Sequence, residues 1–407
     1  MTRTSTDRCH LHSRRADAGF TVIELAIASL IFITVTGAIF SVMNPAEGTF
    51  RAQPEVSDLQ QRLRVGIDSL QKDLVMAGAG TYNGQMAGAL NYFIAPIMPY
   101  RAWGETTDPA EGVFFREDTV SLLYVPPTPS QTTISQEMPP KSAEMKVNAQ
   151  PNCPPGKENQ LCGFDPGDGA IIFDASGNWD MFRVTQVQDE AIHMQHREDD
   201  FSVKYEANSP MTQVVSAMYY LRSDDATQTY QLMYYDGWND ALPVVDNVVR
   251  LRFQYFGDPQ PPQLTGKALS DTVGPWTTYG PKPPTLLDSK GGWPPGENCV
   301  FQVVGGQQVA RLPVLGDGGL GQVELTKEML SDGPFCPDNV KSNRFDADLL
   351  RIRRVRATVR VQAAVASLRG PAGTFFLKGG TGTNVSRFVP DQEVSFDVTP
   401  RNLNLGR

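Results

Sequence analysis

The chain has 407 residues, 20% of them charged, and a formal net charge of −9 at pH 7. This length allows one large domain or two moderate ones, and the 36 Gly and 31 Pro residues favour short strands and long loops over an all-helical fold. Nucleic-acid binding is driven by phosphate neutralisation and needs a concentrated basic face. The acidic balance therefore excludes a generic polyanion binder, and nucleic acid is not expected as a partner.

The N-terminus changes abruptly from polar to apolar. Residues 1–19 are polar and basic, whereas residues 20–43 form an apolar run in which Glu24 is the only charged residue. As a helix this run is roughly 36 Å long, enough to cross a hydrocarbon core of about 30 Å. No small-residue cleavage site follows it, which disfavours an ordinary secretory signal. Because the arginines precede the run, residues 1–19 are predicted to stay cytoplasmic and everything after Met43 to be exported.

Glu24 is the exception within this predicted membrane-spanning helix. An ionisable group there costs about 2.5–3.5 kcal/mol on the most lenient insertion scale. Two interpretations remain open from the residues alone. Glu24 is a tolerated polar residue that reaches the interface near the helix end, or its carboxylate meets a partner cation.

Residues 19–25 read GFTVIEL, which resembles the prepilin processing motif of type IV pilins and type II secretion pseudopilins. The resemblance implies that a prepilin peptidase cleaves after Gly19 and that the new N-terminal residue, Phe20, is N-methylated. It also implies that Glu24, fifth in the mature chain, serves assembly. Its carboxylate would pair with the α-amine of an adjacent subunit, and that pairing would offset the desolvation cost.

Beyond the apolar run, the pattern predicts a kinked linker over residues 44–54, since Pro45 and Pro54 bracket it. An amphipathic helix is predicted over residues 55–78, ending near Gly78 or Gly80. Its apolar residues recur at steps of three and four: Val56, Leu59, Leu63, Ile67, Leu70 and Leu74. Residues 79–407 are predicted to form an exported β-rich globular domain.

Period-two alternation predicts strands in that domain. The predicted strands cover residues 120–125, 170–173, 181–187, 217–222, 230–235, 249–255, 355–365, 375–378 and 393–398. A change of phase predicts a β-bulge near Arg353 and Arg354. Residues 126–155 and 259–295 are rich in turn formers and are predicted to be loops or insertions. The expected fold class is α+β, pilin-like, with a long N-terminal helix packed on an antiparallel β-rich domain.

Four stretches extend the resemblance to minor pilins of the PilW type: residues 58–80, 167–185, 244–258 and 399–403. It implies a structural subunit that is processed, waits in the inner membrane with its domain in the periplasm, and enters a cell-surface pilus for assembly, priming or decoration. The implied partners are the prepilin peptidase, other pilins contacted through the helix, and the inner membrane. Alternatives are a pilus-borne adhesin or DNA-uptake module, and a type II secretion pseudopilin.

Cys9 falls in the leader, so four cysteines remain in the exported part, and an even number there indicates disulfides. Of the three possible pairings, Cys153–Cys162 and Cys299–Cys336 are favoured because each closes a loop within one segment. Zinc is disfavoured because the spacings lack Cys-x-x-Cys and only two histidines, His193 and His196, lie in the mature chain.

No motif of a hydrolase, metalloprotease or nucleotide-binding enzyme is present, so the chain is expected to be neither an enzyme nor a cofactor protein. Asp174, Ser176, Asn178 and Asp180 alternate as Ca²⁺ ligands can, but a hairpin turn is the favoured interpretation. The two histidines are expected in a solvated acidic patch. A basic stripe is possible if two strands adjoin, composed of Arg250, Arg252, Arg354, Arg356 and Arg360.

Overall fold

The computed structural model describes most of the chain. The described residues are 19–80, 94–103, 115–127, 130–149, 161, 163–174, 178–196, 200–224, 226–227, 229–261, 293–294, 297–319, 321–336, 343–369 and 389–403. They form one long α-helix followed by antiparallel sheets, an α+β architecture as the sequence predicts. Residues 1–18 of the predicted leader and the strand predicted over residues 375–378 lie outside them.

Helix α1 runs without interruption over Val22–Met76. The linker predicted at residues 44–54 is therefore wrong as a break between two helices, because the helix continues through Pro45 and Pro54. A proline removes one backbone hydrogen bond and bends a helix. The helix can still continue through the proline when the residues on both sides are helical. The predicted end is confirmed, since Ala77 caps the helix and Gly78 takes a φ of +79°.

Nineteen strands follow in the described part of the chain. In chain order they are β1 Ile97–Met98, β2 Thr119–Tyr124, β3 Gln131–Thr133, β4 Glu144–Lys146, β5 Gly169–Phe173, β6 Trp179–Gln188, β7 His193–His196, β8 Pro210–Gln213, β9 Val215–Asp224, β10 Thr229–Tyr235, β11 Leu242–Asp246, β12 Val248–Gly257, β13 Phe301–Val304, β14 Gln307–Ala310, β15 Val323–Leu325, β16 Phe335–Cys336, β17 Phe345–Asp346, β18 Ile352–Val361 and β19 Gln392–Val398.

The strands form three larger sheets. A five-stranded sheet has the order β1-β2-β9-β10-β11, and a four-stranded sheet has the order β15-β12-β18-β19. A six-stranded sheet has the order β3-β8-β5-β6-β7-β4. Strands β13 and β14 make a separate hairpin, and strands β16 and β17 make a separate short antiparallel pair. The first two sheets carry the surfaces on which α1 lies.

Two sequence-based expectations about the strands have opposite outcomes. The predicted bulge is confirmed, because Phe256 pairs with Arg354 and Gly257 pairs with Ile352, which leaves Arg353 as the extra residue. The assignment of residues 126–155 to loop alone is wrong, since β3 and β4 lie within them. Strands of three residues are too short to show a period-two pattern.

Two hydrophobic clusters divide the domain. The larger one joins the five-stranded and four-stranded sheets to α1, and the smaller one lies within the six-stranded sheet. The predicted apolar face of α1 is confirmed, because Leu59, Leu63, Leu70 and Leu74 are buried in the larger cluster. The smaller cluster includes residues from the segment expected to be loop, such as Met138 and Met145.

A buried polar contact also fixes α1 to the five-stranded sheet. The Asp73 carboxylate accepts hydrogen bonds from the hydroxyls of Tyr124, at 3.0 Å, and Tyr219, at 2.7 Å. Burial, and then the charge of Asp73, raise the pKa of both tyrosines well above the usual range. Both hydroxyls therefore remain protonated donors, and their hydrogen bonds to Asp73 attach the end of α1 to the five-stranded sheet.

Candidate functional site: the N-terminal helix

The first turn of α1 is organised by Thr21 and Glu24. Thr21 is the N-cap, and its Oγ1 accepts a hydrogen bond from the Glu24 amide at 3.3 Å. In return, Glu24 Oε2 accepts from the Thr21 amide and from the Thr21 hydroxyl, both at 2.9 Å. This reciprocal capping box satisfies backbone donors that a helix start leaves unpaired. Gly19 and Phe20 precede it and are exposed.

The next part of α1 is long and apolar enough to cross a membrane. Val22–Ser41 spans 20 residues with a mean hydropathy of 2.3, and none of it is buried inside the protein. Large apolar side chains are exposed along it, including Val22 at 85% and Phe32 at 71%. A helix of this kind serves as a membrane anchor or as a signal sequence. No protein-family model and no curated protein match the chain.

The helix meets the folded domain through a group that we call the Glu55–Arg62 clamp, made of these two side chains and the backbone groups they bind. Ala52 is half-buried, and Glu55, at 8% exposed, is the first buried residue after the apolar part among those described. Glu55 Oε1 accepts a hydrogen bond from the Ala364 amide and lies 3.1 Å from Arg62 Nη2. The sequence pattern indicates only that Arg62 pairs with Asp58 on the exposed side of the helix. It does not predict the contacts that Glu55 makes with Arg62 and with the Ala364 amide.

One predicted cysteine pair is at bonding distance. The sulfur atoms of Cys299 and Cys336 lie 1.93 Å apart, and both residues are buried. The disulfide ties the segment before the β13–β14 hairpin to β16. Cys153 and Cys162, the other predicted pair, lie outside the described residues.

The structure brings the predicted basic stripe together on one face of β12 and β18, where Arg250 lies opposite Arg360. Each of its arginines has an acidic partner within 4 Å. The pairs are Arg250–Glu393, Arg252–Glu117, Arg354–Asp397, Arg356–Asp397 and Arg360–Asp391. Paired guanidinium groups offer little net charge to a polyanion, so this face does not favour DNA binding.

The predicted Ca²⁺ ligands have separate partners. Asp174 accepts from the backbone and side chain of Asn178, at 3.0 and 2.8 Å, and so closes the turn between β5 and β6. Asp180 accepts instead from Ser202 and Tyr205, at 2.8 to 2.9 Å. Ser176 lies outside the described residues. The described geometry favours the hairpin turn.

The two histidines do not share a solvated patch. His193 Nδ1 lies 2.5 Å from Glu144 Oε1, whereas His196 is 4% exposed and stacks on Phe201 with ring centroids 4.4 Å apart. Burial lowers the pKa of His196 and favours its neutral form. The expected patch is wrong because both residues belong to strand β7, where alternate side chains point to opposite faces.

A carboxylate cluster that the sequence did not reveal lies beside the disulfide. One oxygen each from Asp332, Asp346 and Asp348 falls within 4.8 Å of the others, a spacing at which carboxylates can hold a divalent cation. Arg351 already supplies a positive charge there, with its Nε 2.6 Å from Asp348 Oδ1. Only folding brings Asp332 to the other two, so chain order alone gives no signal.

Burial of the cluster predicts an unusual pH dependence of stability. Burial first, and then the nearby carboxylates, raise the pKa of Asp346 to about 7, although two backbone amides act in the opposite direction. In the unfolded chain an aspartate titrates near 4. The folded state therefore binds more protons between about pH 4 and pH 7, so this group stabilises the fold at low pH and that stabilisation is lost as pH rises towards 7.

We expect Asp346→Asn to remove most of this slope, a change of roughly 2 to 4 kcal/mol in the free energy of unfolding between the two ends of the window. Urea unfolding of wild type and variant at pH 4.5 and 7.5 measures it. Asp397→Asn is the control, because its arginine partners lower the pKa of Asp397. Its contribution changes only below about pH 4, so this variant is expected to keep the wild-type slope between pH 4.5 and pH 7.5. Equal slopes in wild type and Asp346→Asn would contradict the assignment.

Proposed function

We propose that the chain is a structural minor pilin, a subunit that anchors in the inner membrane by α1 and then enters a type IV pilus. One observation carries the proposal. A continuous helix begins at a GFTVIEL motif, exposes a predominantly apolar span of 20 residues with a single acid near its start, and then packs one face of its second half against a β-rich domain. An exposed apolar cylinder of that size needs either lipid or other helices around it.

The hydrogen bonds of Glu24 favour a role of this residue in assembly, in addition to membrane anchoring by the helix. Both contacts from Thr21 go to the same oxygen, Oε2. A carboxylate accepts several hydrogen bonds on its two oxygens, so Oε1 remains for a cation supplied by a neighbour. Cleavage after Gly19 would create that cation as the amine of Phe20 on the next subunit.

The partners in this account are the prepilin peptidase, the inner membrane before assembly, and other pilins through the helix afterwards. The location changes accordingly, from inner membrane with a periplasmic domain to pilus at the cell surface. The same helix would serve a type II secretion pseudopilus. A DNA-uptake role is not favoured, because the arginine stripe that would bind phosphates is ion-paired.

Recovery of the chain from filaments tests the proposal. In cells that make these filaments, the chain is expected in the membrane fraction before assembly and in the sheared filament fraction afterwards. Antibody detection of the domain in both fractions measures this. Release of the chain as a soluble periplasmic protein, with none in filaments, would count against the proposal and favour a signal sequence.

A further inference from the structure

The Glu55–Arg62 clamp lies where a long free helix joins the domain. From Glu55 back to its first residue, Val22, the helix rises over 33 residues, or about 50 Å at 1.5 Å per residue. A change of only 10° in its direction at the domain would move its far end by about 9 Å. That distance is comparable to the spacing of packed helices, so a subunit with a loose joint would not place its helix accurately.

Arg62 contacts two separate parts of the domain. Its Nη1 donates to the carbonyl of Gln362, just after β18, at 3.3 Å, and lies 3.5 Å from the carbonyl of Asp246 at the end of β11. Its Nη2 reaches Glu55, and its Nε donates to Asp58 at 2.8 Å. The guanidinium group therefore connects α1 to the ends of strands in two different sheets.

Glu55 adds a second attachment about two helical turns closer to the membrane. Its side chain is almost fully buried, and it accepts a hydrogen bond from the Ala364 amide in the loop after β18. Two attachments separated by seven residues, or about 10 Å along the axis, resist tilting in a way that a single one does not. The apolar contacts of Leu59 and Leu63 provide burial, but burial alone is not directional.

The same helix contains a pair that makes no such connection. Arg64 lies 3.7 Å from Asp68, and both side chains are exposed, at 83% and 67%. Exposed pairs of this kind contribute little to stability. Arg64 therefore provides a matched control for Arg62, of the same type and two positions away.

We propose that the Glu55–Arg62 clamp is a positioning device that sets the direction of the N-terminal helix relative to the domain and thereby permits the subunit to enter a filament. The inference rests on the proposed function. It assigns to Arg62 and Glu55 a role in assembly that is distinct from that of Glu24. Neither residue lies in the apolar span, so membrane insertion does not depend on them.

The test compares full-length variants in cells that make filaments. Arg62→Ala is expected to be processed and membrane-inserted like wild type, but its content in sheared filaments should fall at least five-fold, while Arg64→Ala stays at the wild-type level. Ile172→Val, in the smaller core far from α1, serves as a variant of lowered thermal stability with an intact clamp. Should Arg62→Ala fail to fold, Glu55→Gln removes the ion pair more mildly and is expected to show the same defect.

The outcomes separate the two proposals. If wild type is absent from filaments, the proposed function fails, and this inference fails with it. If wild type is present and Arg62→Ala matches it, only the clamp proposal is overturned. The clamp proposal is also overturned if the filament content of Ile172→Val falls as far as that of Arg62→Ala at the same melting temperature, because stability would then explain the loss.

Discussion

Replacing Glu24 by alanine is expected to leave cleavage after Gly19 intact and to lower the content of the chain in filaments at least tenfold. In the proposed pathway, the Glu24 carboxylate in lipid costs about 2.5–3.5 kcal/mol, and pairing with a neighbour on assembly would recover that energy. Without the carboxylate the monomer is more stable in lipid, so assembly lowers its free energy by less. A loss of 1.4 kcal/mol already lowers an equilibrium tenfold. Immunoblots of sheared filaments against the membrane pool measure the ratio.

Two further variants separate charge from polarity. Glu24→Gln keeps an oxygen that can accept from Thr21 but carries no charge, and we expect it to behave like alanine. Ser29→Ala removes a hydroxyl that donates to the Leu25 carbonyl at 2.8 Å within the same span, and we expect no change. Wild-type incorporation of Glu24→Gln would show that the charge of Glu24 is unimportant for assembly.

Loss of the Cys299–Cys336 disulfide is expected to have the largest effect on stability. The bond closes a loop with a sequence separation of 37, for which chain entropy predicts a contribution of about 4 kcal/mol. Both cysteines are buried, so the double variant Cys299→Ser/Cys336→Ser also places two hydroxyls in an apolar core. Urea unfolding of the protein measures the loss.

The control for this experiment is the other predicted pair, as Cys153→Ser/Cys162→Ser. That pair would close a much shorter loop, for which the entropy estimate is smaller. We expect Cys299→Ser/Cys336→Ser to lose clearly more stability than Cys153→Ser/Cys162→Ser. A first variant as stable as wild type in urea would contradict a structural role for this bond.

The sequence predicted those features that depend on short, repeated patterns. The apolar span, the seam of Leu59 and Leu70, and the bulge at Arg353 all follow from periodicity within one element, and each agrees with the structure. The pairing of Cys299 with Cys336 could be predicted because the two residues close a loop within one segment of the chain. These features need no knowledge of distant neighbours.

The features that were missed depend on residues far apart in the chain. Arg62 and Gln362 are separated by 300 residues, so no local pattern could reveal the clamp. Asp332 joins the other two carboxylates only after folding. The interruption expected over residues 44–54 is absent for a different reason, because the helical residues on both sides outweigh the local effect of proline.

The proposed function requires that the mature chain begins immediately after Gly19, where its new amine can meet Glu24 of a neighbour. Mass spectrometry of the N-terminal peptide from membrane-extracted protein tests it most directly. We expect a peptide that starts at Phe20 and carries one added methyl group on its amine. A mature protein that retains Met1, or that starts at any residue other than Phe20, would contradict it.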